Sequence, residues 1–115
     1  MFKARERSIT LSAGDTGVVG FRFDVPLTDD DRGVFTVADR KGKRMLRKII
    51  RPEGNTIYIP FVNSDTQDWE PGGYEWDLRV VLGATLAGGD VTDGREVITP
   101  FPPGVLTVVK VVGKV

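Results

Sequence analysis

The 115-residue sequence contains no cysteine and no histidine. Without cysteine there is no disulfide framework, no thiolate metal ligand and no thiol nucleophile. Without histidine the chain lacks the commonest general base and the commonest transition-metal ligand. Most hydrolase and metalloenzyme templates therefore cannot be built, and we predict a non-enzymatic protein with no cofactor, no metal site and no small-molecule substrate.

Long apolar runs and a net charge are also missing. No apolar run approaches the roughly 20 residues that a membrane-spanning helix needs, and residues 1–11 lack the apolar stretch of a signal peptide. Lys and Arg together number 16, as do Asp and Glu, so the formal net charge is +0. Because no overall field steers the molecule to nucleic acid or to an anionic membrane, we expect neither as a partner. We expect synthesis in a cytoplasm.

What the sequence does contain is the composition of short strands separated by turns. It has 14 Gly and 7 Pro among many Val, Ile and Thr residues, which is typical of β-proteins with tight connections. A chain of this length fits one domain that can bury a core without disulfides. We predict a single all-β domain over residues 1–115.

Residues 74–82 give the clearest strand signal. Apolar and charged side chains alternate with period two, so one face turns inward and the other outward. The inward set is Tyr74, Trp76, Leu78 and Val80. A Tyr just after a Pro-Gly turn, with a large apolar residue two positions on, is typical of the corner that pins two-sheet sandwiches. Tyr74 and Trp76 are therefore the predicted structural corner.

The remaining elements follow from turns and alternation. Further strands are predicted at residues 8–12, 17–25 (with Val25 inward), 34–39, 45–50, 55–61, 95–98 and 105–112. The run 45–50 also has the apolar spacing of a helix, but a tight turn before it and a β-rich run after it favour a strand. One helical turn, capped by Asn63 or Ser64, is predicted within residues 62–70. The Gly-rich residues 83–94 are predicted to form a flexible hairpin arm.

The final strand has two largely apolar faces, whereas a strand that ends an open sandwich normally has one wet face. Its first face carries Leu106, Val108, Lys110 and Val112, and its second carries Val105, Thr107, Val109 and Val111. Two explanations stay open for the second face: the arm covers it, or another subunit does.

Opposite charges are segregated along the chain. Residues 40–51 hold seven of the sixteen cations, while acids concentrate near residues 65–77 and again at 90–96. The alternatives are two solvated faces, complementarity between neighbouring copies, or phosphate binding, which lacks interleaved aromatics. The predicted self-association residues are Val105, Thr107, Val109, Val111, Arg44, Arg47 and Lys48.

Other site chemistries have weaker support. Trp69 and Tyr58 are predicted to be exposed, which makes a carbohydrate-binding module the alternative function, although the other aromatics fall on core faces. The acidic loop near Asp30 lacks the ligand spacing of a calcium loop. The Gly-rich residues 88–94 lack the Lys of a phosphate-binding loop.

Three segments together resemble a known family. They are SITLSAGDTG, IPFVNSDTQDWEPGGYEWDLRVV and EVITPFPPGVLTVVKVV. They are similar to the N-terminal immunoglobulin-like domain of upper baseplate proteins from phages and prophages of Gram-positive bacteria; the most specific parts are the GDT that includes Asp15 and the run from Asp65 to Asp77. The resemblance implies an immunoglobulin-like antiparallel β-sandwich of about seven strands. It also implies a virion structural or assembly module of the tail or baseplate type, bound to copies of itself or to other virion proteins.

Overall fold

A seven-stranded sheet and a two-stranded sheet pack around one core in the computed structural model, which describes residues 2–5 and 7–111. The strands are β1 Lys3–Arg5, β2 Ser8–Ser12, β3 Gly17–Arg22, β4 Arg32–Ala38, β5 Arg44–Ile50, β6 Thr56–Phe61, β7 Gly72–Leu82, β8 Thr85–Ala87, β9 Asp90–Asp93, β10 Glu96–Ile98 and β11 Gly104–Val109. One helical turn, α1, spans Asn63–Thr66.

The strand order defines the class of fold. The large sheet runs β1-β2-β11-β7-β4-β5, with β10 pairing the far end of β7, and β3 pairs β6 in the small sheet. The chain changes sheets between β2 and β3, β3 and β4, β5 and β6, and β6 and β7, as in immunoglobulin-like sandwiches. The predicted all-β sandwich is confirmed. One pair departs from the antiparallel prediction, because β2 and β11 run parallel.

Within the core, a row of aromatic rings in contact crosses from one sheet to the other. The Trp76 ring, on β7, lies 5.3 Å from that of Phe21 on β3 and 5.6 Å from that of Phe35 on β4. Such ring pairs contribute about 0.5–1.5 kcal/mol each beyond their buried area. From one end of the sandwich to the other the row runs Phe101, Phe21, Trp76, Phe35, Phe61 and Phe2.

The crossover into β7 is pinned by a side-chain bond. The Tyr74 hydroxyl donates to the Glu70 carbonyl at 2.7 Å, and its ring stacks on Trp69 with centroids 4.9 Å apart. Burial raises the pKa of Tyr74, and the carboxylates of Glu70 and Asp39 raise it further. The hydroxyl therefore remains a donor at physiological pH, in the geometry expected of a tyrosine corner.

Several local predictions can be compared with the structure. Residues 44–50 form a strand, as the turn before them indicated. The strand expected to reach Val25 ends at Arg22 instead, because its partner β6 begins at Thr56, directly opposite. Val25 is consequently exposed. The final strand ends at Val109, and its predicted end at residue 112 lies outside the described residues.

The start of α1 also differs from the prediction. The Asp65 carboxylate accepts from the Val62 backbone N–H at 2.9 Å, so the helix turn is closed by Asp65. Asn63 instead donates to the Gly14 carbonyl at 2.9 Å, and the Gly14 N–H donates to Thr66 Oγ1 at 2.9 Å. The predicted capping role of Asn63 or Ser64 is wrong, since both residues lie within α1 and its N-cap position is Val62. The two bonds to Gly14 hold α1 against the turn between β2 and β3.

Replacement of Gly104 tests how tightly the two sheets are held. A Cβ added there would lie 2.2 Å from Trp76 Cε2. Because an overpacked core forces side chains or backbone to shift, we expect Gly104→Ala to lower the free energy of unfolding by about 1–3 kcal/mol. Urea denaturation measures this.

The matched control is Gly73→Ala. Gly73 also lies in a paired strand, opposite Thr107, but a Cβ there meets no atom within 4 Å. We expect this variant to stay within about 0.5 kcal/mol of the parent. Equal losses in the two variants would show that the Trp76 contact is not the cause.

Candidate interaction site

The final strand exposes one of its two apolar faces. Leu106 and Val108 are buried in the core, whereas 51% of Val105 is exposed. The alternate residues of the strand form what we call the β11 face: Val105, Thr107 and Val109. The fourth predicted residue, Val111, is exposed but lies beyond the end of the strand. In the sheet, Ser8 of β2 and Glu75 of β7 flank Val105 in register. The predicted self-association residues of this strand therefore lie together on the outer surface of the large sheet.

The Gly-rich arm does not cover this face. The arm is the β8–β9 hairpin, and its base lies over Val81 on the outer surface of β7. At its tip, Asp90 forms an ion pair with Arg47 on β5. Because β5 and β11 lie on opposite sides of β7, the arm runs away from β11. Of the two explanations for the apolar face, arm cover fails at Val105.

The base of the arm is held by a buried carboxylate. Asp31 is only 4% exposed and accepts the Gly83 N–H at 3.0 Å and the Thr28 N–H at 2.7 Å. Burial alone would raise the pKa of Asp31, but these two N–H groups and the charge of Arg95 outweigh it, so the pKa lies below its ordinary value. Asp31 thus fixes where the arm leaves the sandwich.

The predicted basic cluster on β5 divides into three environments. Arg44 is exposed, and Arg47 is partly covered by its contact with Asp90. Lys48 lies 2.6 Å from the Asp65 carboxylate and donates to the Pro60 carbonyl at 2.6 Å. Lys48 therefore bridges the open edge between β5 and β6, and its charge is used within the domain.

The two aromatics considered for a sugar platform do not form one. Trp69 is buried, at 8% exposed, so the prediction that it is exposed is wrong. Tyr58 is 46% exposed and lies beside Gly20 on the outer face of the small sheet. Carbohydrate platforms need several coplanar exposed rings. No observation favours the carbohydrate-binding alternative at these positions.

An open cleft lies between the β4–β5 turn and the crossover into β7. Its volume is about 480 Å³. Asp39, on its wall, accepts the backbone N–H groups of Lys41 and Lys43 at 2.9 Å each, which closes the hairpin turn. Tyr74, also on its wall, is committed to the Glu70 carbonyl. These polar groups serve the local structure.

Among residues 2–5 and 7–111, no group of three or more Asp or Glu side chains is placed to hold a metal ion. In the same part of the chain, no helix has the length and apolarity of a membrane span. In the acidic loop, Asp31 accepts the Gly83 N–H at the base of the arm, and the Asp29 carboxylate lies 3.5 Å from the Arg51 guanidinium.

The fold and its surfaces define an immunoglobulin-like β-sandwich with an exposed strand face and a projecting hairpin. The chain matches no protein-family model, and no curated protein or solved structure is significantly similar to it. The class therefore rests on the geometry of this chain alone.

Sequence reasoning missed two features of the site. The strand β1, which pairs with β2, has no apolar alternation, since all three of its side chains are exposed. The contact between Arg47 and Asp90 joins residues 43 positions apart. The only signal for it was the opposite sign of the two segments, which predicts attraction but not a partner.

Asp31 gives a pH-dependent prediction. Since its pKa is lower in the folded chain than in the unfolded chain, its stabilisation is complete above the unfolded value of about 4 and is lost as the pH falls through the folded value. We expect Asp31→Asn to lower the free energy of unfolding at neutral pH by about 1–3 kcal/mol. Urea denaturation should show the difference narrowing at acidic pH.

The control is Asp24→Asn, which neutralises an exposed carboxylate in the same connection between β3 and β4. It should change stability by less than about 0.5 kcal/mol at either pH. A constant difference between Asp31→Asn and the parent across the acid range would contradict the role of the Asp31 charge.

Proposed function

We propose that this protein is a structural module of a phage or prophage particle, of the tail or baseplate type. It is not an enzyme, and it acts by binding copies of itself or other virion proteins. The observation that carries the proposal is the β11 face, where Val105 is exposed and Thr107 and Val109 are half-buried on the outer surface of the sheet. Exposed apolar patches on soluble proteins mark interaction sites.

The surroundings of Val105 suit a protein partner. An open recess of about 470 Å³ lies beside it, lined by Arg7, Ser8, Pro103 and Gly104. A projecting apolar side chain next to a recess is the pattern of a self-complementary contact, in which each copy offers both parts across a two-fold axis. Full burial of a Val side chain contributes about 1.5–3 kcal/mol, which offsets part of the freedom that two copies lose when they associate.

Charged residues beside the β11 face would set how two copies are oriented in the contact. Glu75 flanks Val105, and Ala38 separates Glu75 from the exposed Arg44 along the same row of the sheet. Charges of both signs at the rim of an apolar contact set its orientation more than its strength. Such pairs are screened within about 8 Å at physiological salt, so association should weaken as salt is added.

The virion setting rests on the resemblance. The two most specific segments of that resemblance meet in space, where the Gly14 N–H donates to Thr66 Oγ1 at 2.9 Å beside the turn of Asp15. This contact belongs to the scaffold of the domain. It does not indicate a site, and function belongs to the exposed surfaces.

The association prediction uses two valines of similar exposure. Val105→Arg places a charge in the proposed contact, so we expect the solution mass to fall to that of one chain. Val18→Arg is the matched control, because Val18 is 59% exposed but lies on the small sheet. Sedimentation equilibrium at low and high salt measures both variants and the parent. A parent that stays monomeric at high concentration, or a control that dissociates equally, contradicts the β11 contact.

The virion prediction is tested separately. After prophage induction in the strain that carries the gene, purified particles should contain this chain in a fixed ratio to other structural proteins, measured by quantitative mass spectrometry. A chain found only in the soluble lysate, with none in washed particles, would contradict the virion setting. It would leave the association result unaffected.

A further inference from the structure

The hairpin arm is unusual in having little to pack against. Its strands β8 and β9 make their extensive contacts with each other, and every side chain from Thr85 to Asp90 is exposed. Gly88 and Gly89, with φ of 59° and 78°, form the tight turn at the tip. A two-stranded hairpin alone is only marginally stable in water. The arm therefore depends on contacts at its two ends.

Those two ends are held very differently. At the base, the Gly83 N–H is bound to buried Asp31, and the Ala84 N–H donates to the Asp30 carbonyl at 2.7 Å. At the tip there is the surface ion pair between Asp90 and Arg47. Exposed ion pairs contribute little to stability. The arm is thus fixed where it leaves the sandwich and weakly held where it ends.

The charges of the arm indicate which surface it can bind. Residues 83–94 contain two Asp and no Lys or Arg, whereas β5 contains three cations and no acid. The Asp90–Arg47 pair demonstrates that the arm tip and the outer surface of β5 are complementary. Every other copy of this chain presents the same surface of β5. A second copy is therefore a partner whose surface matches the arm as well as its own does.

We propose that the arm is an exchangeable contact: in the assembly, Asp90 of one copy pairs with Arg47 of a neighbouring copy. This inference rests on the proposed function, because the copies must first be held together. In an isolated chain the arm finds its own β5 at a high effective concentration, and only a tethered neighbour competes with that. The ion pair made is the same as the ion pair broken, so exchange costs only the movement of the arm beyond its fixed base at Gly83 and Ala84.

The absence of cysteine gives a direct test. Arg47→Cys and Asp90→Cys are prepared as separate single variants, one carrying a size tag, then mixed and treated with a short bis-maleimide cross-linker. Exchange predicts a cross-linked heterodimer in denaturing gels. In the matched control, Asp90→Cys is mixed with Arg51→Cys instead of Arg47→Cys. In the parent, the Arg51 guanidinium lies 3.5 Å from the Asp29 carboxylate. We expect about tenfold less heterodimer from the control mixture, because only Arg47 lies where an exchanged arm is tethered.

Two further measurements separate failure of the exchange from failure of the proposed function. The double variant Arg47→Cys with Asp90→Cys should give cross-linked dimers and larger species if the arm exchanges, and only a closed single chain if it does not. One outcome is the closed single chain as the sole product, with a parent that still self-associates and a Val105→Arg variant that is monomeric. That result overturns the exchange, and the proposed function stands. If the parent is monomeric at every concentration, both are overturned.

Discussion

The indole of Trp76, wedged between the sheets against the backbone of Gly104, is the contact on which the rest of the structure depends. It joins Phe21 of the small sheet to Phe35 of the large sheet, so it sets the spacing between them. With Gly104 fixed inward, the alternation of β11 is fixed too, because a slip of one residue would turn the whole strand over. Val105 must then face outward. The exposed face is therefore a consequence of core packing in the same strand.

Sequence reasoning succeeded where a single physical pattern decides the outcome. Alternation in residues 74–82 places Trp76 in the core, and the Pro-Gly turn before it places Tyr74 at the corner. Sequence reasoning failed where the structure depends on a contact that the local residue pattern does not show. Trp69 lies in a segment with no period, and its burial comes from stacking on Tyr74 after the chain has turned. The direction of the arm likewise depends on Asp31, a residue 52 positions from its partner Gly83.

Charge segregation along the sequence is partly undone by folding. Acids from three separate segments return to the basic region: Asp29 to Arg51, Asp65 to Lys48 and Asp90 to Arg47. The half-buried Lys48–Asp65 pair joins β5 to α1, and Lys48 also donates to the Pro60 carbonyl of β6, which ties the two sheets at an open edge. The other two are surface pairs and orient segments more than they stabilise them. The Arg47–Asp90 pair therefore serves to position the tip of the arm over β5.

The two proposed contacts differ in symmetry, and this decides what they can build together. A self-complementary contact across β11 closes at two copies, whereas an arm given to a neighbour runs from one copy to the next. The arm leaves β7 toward β5, on the side of the sheet opposite to β11. Exchange requires a neighbour that is already tethered, so the β11 contact must form first. Apolar burial then supplies the strength, and exchanged arms add a directional contact between copies that it holds together.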